Sequence, residues 1–259
     1  MKKSLIPLAL VGLVGLAEAS VVTKAVPYEI DGKAFEGMLI YDNAVTGPRP
    51  GLLMVPDWLG VTEDSAKMAA RAAGDKYVVF VADMYGKAVR PSNPDEAKAA
   101  ADAVKADRAM MRKRAQAAVE VLKAQTTQVD TSKLGAIGFC FGGGSVLELA
   151  RSGAPLKGFV SFHGNLDTPN PADAQNIKAP VLVLHGANDP AVPQAQVDGF
   201  VAEMKAAKTD WQLVSYGGAV HSFSNPLANV PGRNQYHPLV AARAFKAMND
   251  LFDEVFAAQ

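Results

Sequence analysis

A single cysteine, Cys140, stands among the 259 residues. That scarcity excludes a disulfide framework and any thiolate zinc knuckle. Charge of neither sign is in excess, because 26 Lys and Arg balance 26 Asp and Glu. Without a basic surplus the chain lacks the electrostatic footprint of a nucleic-acid binder. Glycine and proline, at 22 and 16 residues, are at ordinary levels, which excludes collagen-like and low-complexity chains. No Ser/Gly tract, block of like charge or obvious repeat marks a linker. What is abundant is apolar: 49% of residues are hydrophobic and 20% charged, too apolar a balance for a disordered chain. A soluble globular enzyme or binding domain is expected.

Long hydrophobic runs are missing too, with one short exception. Lys2 and Lys3 precede an apolar stretch from Leu5 to Leu16, followed by Ala17-Glu18-Ala19. A basic start, a short apolar run and a small-x-small site are the parts of a secretory signal peptide. The run falls short of the roughly 20 residues needed to span a bilayer. Residues 1–19 are therefore expected to be a signal peptide cleaved after Ala19, and 20–259 a single domain exported to the periplasm or secreted. No membrane association is expected after cleavage. In an oxidising compartment, a thiol without an intrachain partner is either deeply buried or kept for its chemistry.

The remaining pattern alternates. Val26 to Ile30 and Phe35 to Tyr41 flank an Asp31-Gly32 turn. Gly51 to Val55, Tyr77 to Ala82, Leu134 to Phe139, Gly158 to Phe162, Val181 to His185 and Trp211 to Tyr216 read as strands. Between them lie predicted helices at Thr62 to Ala73, Asp95 to Lys123, about Gly143 to Ala150 and about Pro193 to Ala207, with a last one at Leu239 to Phe256. Short unbroken apolar strands separated by helices predict an α/β fold, a mostly parallel sheet covered on both faces. Ligand sites in such folds lie just beyond the carboxyl ends of the strands.

Polar residues stand at those ends. Gly138-Phe139-Cys140-Phe141-Gly142 has the form G-x-C-x-G, a nucleophile elbow with thiol in place of hydroxyl. A tight strand-to-helix turn lifts the central side chain above the sheet, where the N-terminus of the following helix favours negative charge on sulfur. The backbone N–H of Phe141 would face a developing oxyanion. The competing reading is an inert buried cysteine beside a glycine-rich helix start. Asp189 follows the strand 181–185 and His221 follows 211–216. Nucleophile, acid, base is the chain order of the α/β-hydrolases. His221 would take or hold the thiol proton, and Asp189 would fix its tautomer.

After strand 51–55 come Asp57 and Trp58; the N–H of Trp58 is the expected second oxyanion donor. Asp57 is either a turn residue or a carboxylate beside the thiol. His163 ends its strand at the border of the expected pocket, with no chemical role assigned. His185 reads as a satisfied core histidine and His237 as a helix-start residue. No HExxH or similar spacing is present, so no metal is expected. Two rivals stand beside the enzyme: a thiol-sensing binding protein on the same scaffold, and a serine hydrolase using Ser145 or Ser161, neither of which sits in an elbow.

Taken together, VPDWLGV (55–61), ADMYGK (82–87), GFCFGG (138–143), SFHG (161–164), HGANDPAVP (185–193) and HSF (221–223) resemble the dienelactone hydrolase family. The resemblance implies an α/β-hydrolase fold, a Cys140–His221–Asp189 triad and hydrolysis of a small ester or lactone through a thioester, with no metal and no cofactor. It also places Asp57, Tyr85 and His163 near the gating or substrate region. At position 57 the family usually has glutamate, one methylene longer. The arginine that soon follows HSF in dienelactone-cleaving members has no counterpart here before Arg233.

Overall fold

The computed structural model describes residues 21–258; the expected signal peptide, residues 1–19, lies outside them. The chain opens with a hairpin, β1 (Val21–Ile30) and β2 (Lys33–Asp42). Its two-residue turn is Asp31-Gly32, with φ of 51° and 72°, the left-handed pair that matches the twist of the flanking strands. The strands β3 (Arg49–Val55), β4 (Val78–Val81), β5 (Val129–Phe139), β6 (Phe159–Phe162), β7 (Val181–Gly186) and β8 (Trp211–Tyr216) follow. They form one eight-stranded sheet in the order β1-β2-β4-β3-β5-β6-β7-β8. From β4 to β8 every pairing is parallel, and the hairpin adds the antiparallel edge. This is the predicted α/β architecture.

Strand alternation sorts the core into two layers. Leu53, Val55, Phe80 and Val183 point to the face covered by α2 (Pro94–Ala106), α3 (Arg108–Lys123), α4 (Phe141–Arg151) and α5 (Gln194–Ala207). Leu52, Met54, Val79 and Leu182 point to the other, covered by α1 (Glu63–Ala73) and α6 (Pro238–Ala257). The expected Thr62 cap is present, and Ser65 completes a reciprocal capping box. His237 caps α6 by accepting from the Val240 N–H at 3.4 Å.

Two helix boundaries differ from the sequence reading. The region 95–123 is two helices, because Asp107 leaves helical geometry (φ −121°, ψ 89°) and its side chain accepts from the Met110 N–H at 2.9 Å. Ala-rich sequence on both sides favours helix equally, so the local capping bond decides the break. The helix after Cys140 starts at Phe141 rather than near Gly143, taking all three glycines into its first turn.

Behind the sheet, α3, α4 and α5 are pinned by a buried ion network. Arg151 donates to Glu203 through Nε at 2.7 Å and Nη2 at 2.8 Å, and to Glu148 through Nη1 at 3.0 Å. Arg112 reaches the other Glu148 oxygen at 2.8 Å and Asp173 at 2.6 Å. Arg151, Glu148 and Glu203 are all buried.

Candidate active site

Cys140 sits where β5 turns into α4, at φ 55° and ψ −119°. A non-glycine residue held in the left-handed region costs about 1–3 kcal/mol and persists only where its surroundings enforce it. The flanking glycines show the enforcement. A Cβ on Gly138 would lie 2.1 Å from the Gly142 carbonyl oxygen, and one on Gly142 would lie 2.0 Å from that of Val55. The Cys140 N–H donates to the Phe162 carbonyl at 3.0 Å, tying the elbow to the neighbouring strand. No side chain caps the N-terminus of α4, which leaves its first N–H groups without a side-chain acceptor.

His221 follows β8 and Asp189 follows β7. His221 Nδ1 and Asp189 Oδ2 are 2.8 Å apart, both side chains buried. The other Asp189 oxygen accepts the Ala191 N–H at 2.8 Å. The backbone of His221 is held from outside by a short hairpin of β9 (Asn229–Val230) and β10 (Asn234–Gln235): the Gln235 N–H donates to the His221 carbonyl at 3.1 Å. Burial alone would lower the imidazole pKa. Its bond to Asp189 and the nearby Cys140 sulfur outweigh that and raise it to about 10. The nearby Cys140 sulfur interacts with the same ring at a looser geometry than the Asp189 bond, as is common where such contacts tighten only around substrate.

Cys140 and His221 share the wall of a cavity of about 340 Å³ with Asp57, Trp58, Pro190, Ser222, Arg233 and Asn234. That volume suits a small ligand. Arg233 is exposed at the rim, and its guanidinium has no ion-pair partner among the described residues. Ser222 has φ 57°. The sequence marked Arg233 only as the first arginine after HSF and did not single out Asn234; the Pro231-Gly232 turn was the signal for the hairpin that carries them.

Of the two roles left open for Asp57, the turn residue is present. One oxygen accepts the Leu59 N–H at 2.9 Å, a turn contact. The same side chain borders both the cavity and a smaller one of about 20 Å³ that also touches Ser65, His163 and Ser224. Burial raises its carboxyl above the ordinary range. Tyr85 stands behind the wall: its hydroxyl donates to the Trp58 carbonyl at 2.9 Å, and its ring packs on Phe141 at 5.7 Å between centroids. It braces the two segments whose N–H groups are the expected oxyanion donors.

His163 is buried beside His221 with its Nε2 2.8 Å from Ser224 Oγ. His185 departs from expectation, for its buried Nδ1 has no hydrogen-bond partner. Burial keeps that ring neutral, so a proton on Nε2 leaves only a lone pair unfilled. Ser145 donates to the Phe141 carbonyl at 3.0 Å, an intrahelical contact, and Ser161 is buried in β6.

The sequence model of the dienelactone hydrolase family matches residues 35–256. A protein of Bradyrhizobium named "Probable 2-oxo-3-(5-oxofuran-2-ylidene)propanoate lactonase" is 27% identical, over 78% of this chain and 82% of its own. Among solved structures, a dienelactone hydrolase-like promiscuous phosphotriesterase from metagenomic libraries superposes with a TM-score of 0.84. It is 39% identical and covers 91% of this chain and 98% of its own. The dienelactone hydrolase of Anabaena variabilis shares the fold, with a TM-score of 0.64 at 19% identity over 92% of this chain and 97% of its own.

Proposed function

The chain belongs to the dienelactone hydrolase family, and from that premise we propose that it cleaves small esters or lactones through a thioester on Cys140. The observation that carries this reading is the 2.8 Å bond that aims His221 from Asp189 into the cavity where Cys140 also opens. The sulfur anion attacks the acyl carbon. The carbonyl oxygen takes up the electron pair beside the N–H groups of Phe141 and Trp58. His221, cationic below about pH 10, gives its proton to the departing alkoxide as the thioester forms. Water then attacks the thioester, returns a proton to His221 and restores the sulfur anion. Asp57 lines the same cavity, and burial, which raises its pKa, limits the negative charge it would set against the sulfur anion.

One observation favours a second reading. Ser224 and His163 form a serine–histidine contact at 2.8 Å. Against it, Ser224 is fully buried, and no carboxylate orients His163, whose Nδ1 has no partner. Burial and the His221 charge hold His163 well below the ordinary histidine value, which makes it a poor base.

The deciding experiment is an intact-mass measurement after brief exposure to a panel of esters and lactones. The panel includes phosphotriesters because of the described activity of the metagenomic relative. An acyl adduct mapped to Cys140 is expected, and one mapped to Ser224 would refute the thioester. We also propose that the chain is exported, in which case the same spectrum begins at Ser20.

Two further results are expected. A pH profile of kcat/KM should fall as pH rises through about 10, where His221 loses the proton the leaving group needs. Stability follows the same sign. A histidine raised above its unfolded value near 6.5 contributes stability fully below that value, and loses it as pH climbs to about 10. Arg233→Ala should raise KM roughly tenfold for esters carrying a carboxylate, the worth of one charge-assisted hydrogen bond, and leave neutral esters unchanged. Equal KM changes for both substrates would remove Arg233 from substrate binding.

A further inference from the structure

His163 takes no part in the scheme above, yet its surroundings are too specific for a filler of space. It closes β6 with φ 40°, and it is buried at 3% exposure. Its ring meets His221 edge to face, at 5.1 Å between centroids and 64° between planes. Phe223 packs on it at 5.1 Å and 84°, and Phe139 at 6.1 Å and 47°. A phenyl ring would fill the same volume without polar nitrogens to satisfy. The chain instead carries an imidazole with one nitrogen anchored, Nε2 to Ser224 Oγ at 2.8 Å, and the other without a partner.

The anchor is itself fastened. The Ser224 carbonyl accepts from Arg71 Nη1 at 3.0 Å, and the Arg71 guanidinium lies 4.3 Å from the centre of the Phe245 ring. A chain of contacts thus runs from α1 through Ser224 and His163 to the face of His221. This matters because His221 stands in a loop. Its bond to Asp189 fixes one point of the ring, and a ring held at one point still swings about that bond. A second, lateral contact is needed to stop the swing.

We propose that His163 is a positioning residue for His221: anchored by Ser224, its ring sets the tilt of the His221 imidazole so that the nitrogen opposite Asp189 faces the Cys140 sulfur. The inference rests on reading His221 as the acid–base group, not on which atom is the nucleophile. It also explains the polar choice at position 163. A nitrogen bonded to Ser224 fixes the rotation of the wall, which a symmetric phenyl ring cannot do. Burial keeps His163 uncharged, so no second positive charge faces His221 when that ring is protonated.

The test uses Ser224→Ala, which frees the His163 ring, and His163→Phe, which keeps its bulk. For hydrolysis of a chromogenic acetate ester, both variants should lose about tenfold in kcat, the scale of a misaligned proton transfer. KM should stay within about twofold of wild type, as expected when only chemistry is impaired. The proton NMR signal of the His221 Nδ1–H, shared with Asp189, should move or broaden in both, at temperatures where circular dichroism shows them fully folded. An unchanged signal and kcat in folded Ser224→Ala overturns the proposal, whatever becomes of His163→Phe. The signal is also recorded in Cys140→Ala with and without Ser224→Ala. A shift there upholds the positioning role even if the sulfur turns out not to be the nucleophile, so the two readings fail separately.

Discussion

Cys140→Ala is expected to lower kcat for ester hydrolysis by about 10³-fold or more, with KM little changed. The substitution removes only the sulfur. The elbow keeps its shape, because the contacts that enforce it are backbone and glycine contacts: the Cys140 N–H to Phe162 and the close approach of Gly142 to Val55. The Asp189–His221 bond and the cavity walls also remain, so substrate should still bind. What is lost is the atom that forms the covalent bond. Stopped-flow assays with a chromogenic ester check this, with Ser224→Ala measured beside it. Full turnover in Cys140→Ala would end the cysteine mechanism, and a collapse confined to Ser224→Ala would hand the role to the buried serine.

Arg151→Met should give the largest loss of stability. Arg151 is buried and is the partner through which Glu203 is paired, at 2.7 and 2.8 Å. Without it Glu203 keeps a buried, uncompensated charge, a defect worth about 3–5 kcal/mol. For a chain of this size that corresponds to a fall in Tm of roughly 6–20 °C. Glu148 suffers less, because Arg112 still holds it at 2.8 Å. The double variant Arg151→Met/Glu203→Leu removes both charges and should recover much of the loss. Thermal melts of the two variants check this. A double variant as unstable as the single one would show that packing, not charge, is the contribution of Arg151.

The fold was legible because each buried strand is a short apolar run closed by a turn residue, as in LGAIGF before Cys140 and VLVLHG before Asp189. The order Cys140, Asp189, His221 was legible for the same reason: each stands one to a few residues beyond such a run. The break at Asp107 was not, since helix propensity is the same on both sides and only a side-chain bond to Met110 separates the helices. Nor was the cavity rim. Arg233 reaches the site because a hairpin hydrogen-bonds the His221 carbonyl, a long-range contact that no periodicity encodes. The same holds for His163 and Ser224, which are 61 positions apart in the chain.

Five residues other than glycine adopt positive φ among those described: Asp31, Cys140, His163, Lys208 and Ser222. Asp31 belongs to a hairpin turn and Lys208 ends α5, but the other three crowd around the sulfur and the imidazole. Mutational drift toward heat resistance would find glycine a ready gain at Cys140 and Ser222, since glycine occupies such backbone at little cost, whereas at His163 it would empty a buried, ring-packed site. Each gain would erase or loosen a working part. Durability and reactivity therefore compete at Cys140 and Ser222, and thermostabilised descendants of this chain should be sought through changes far from them.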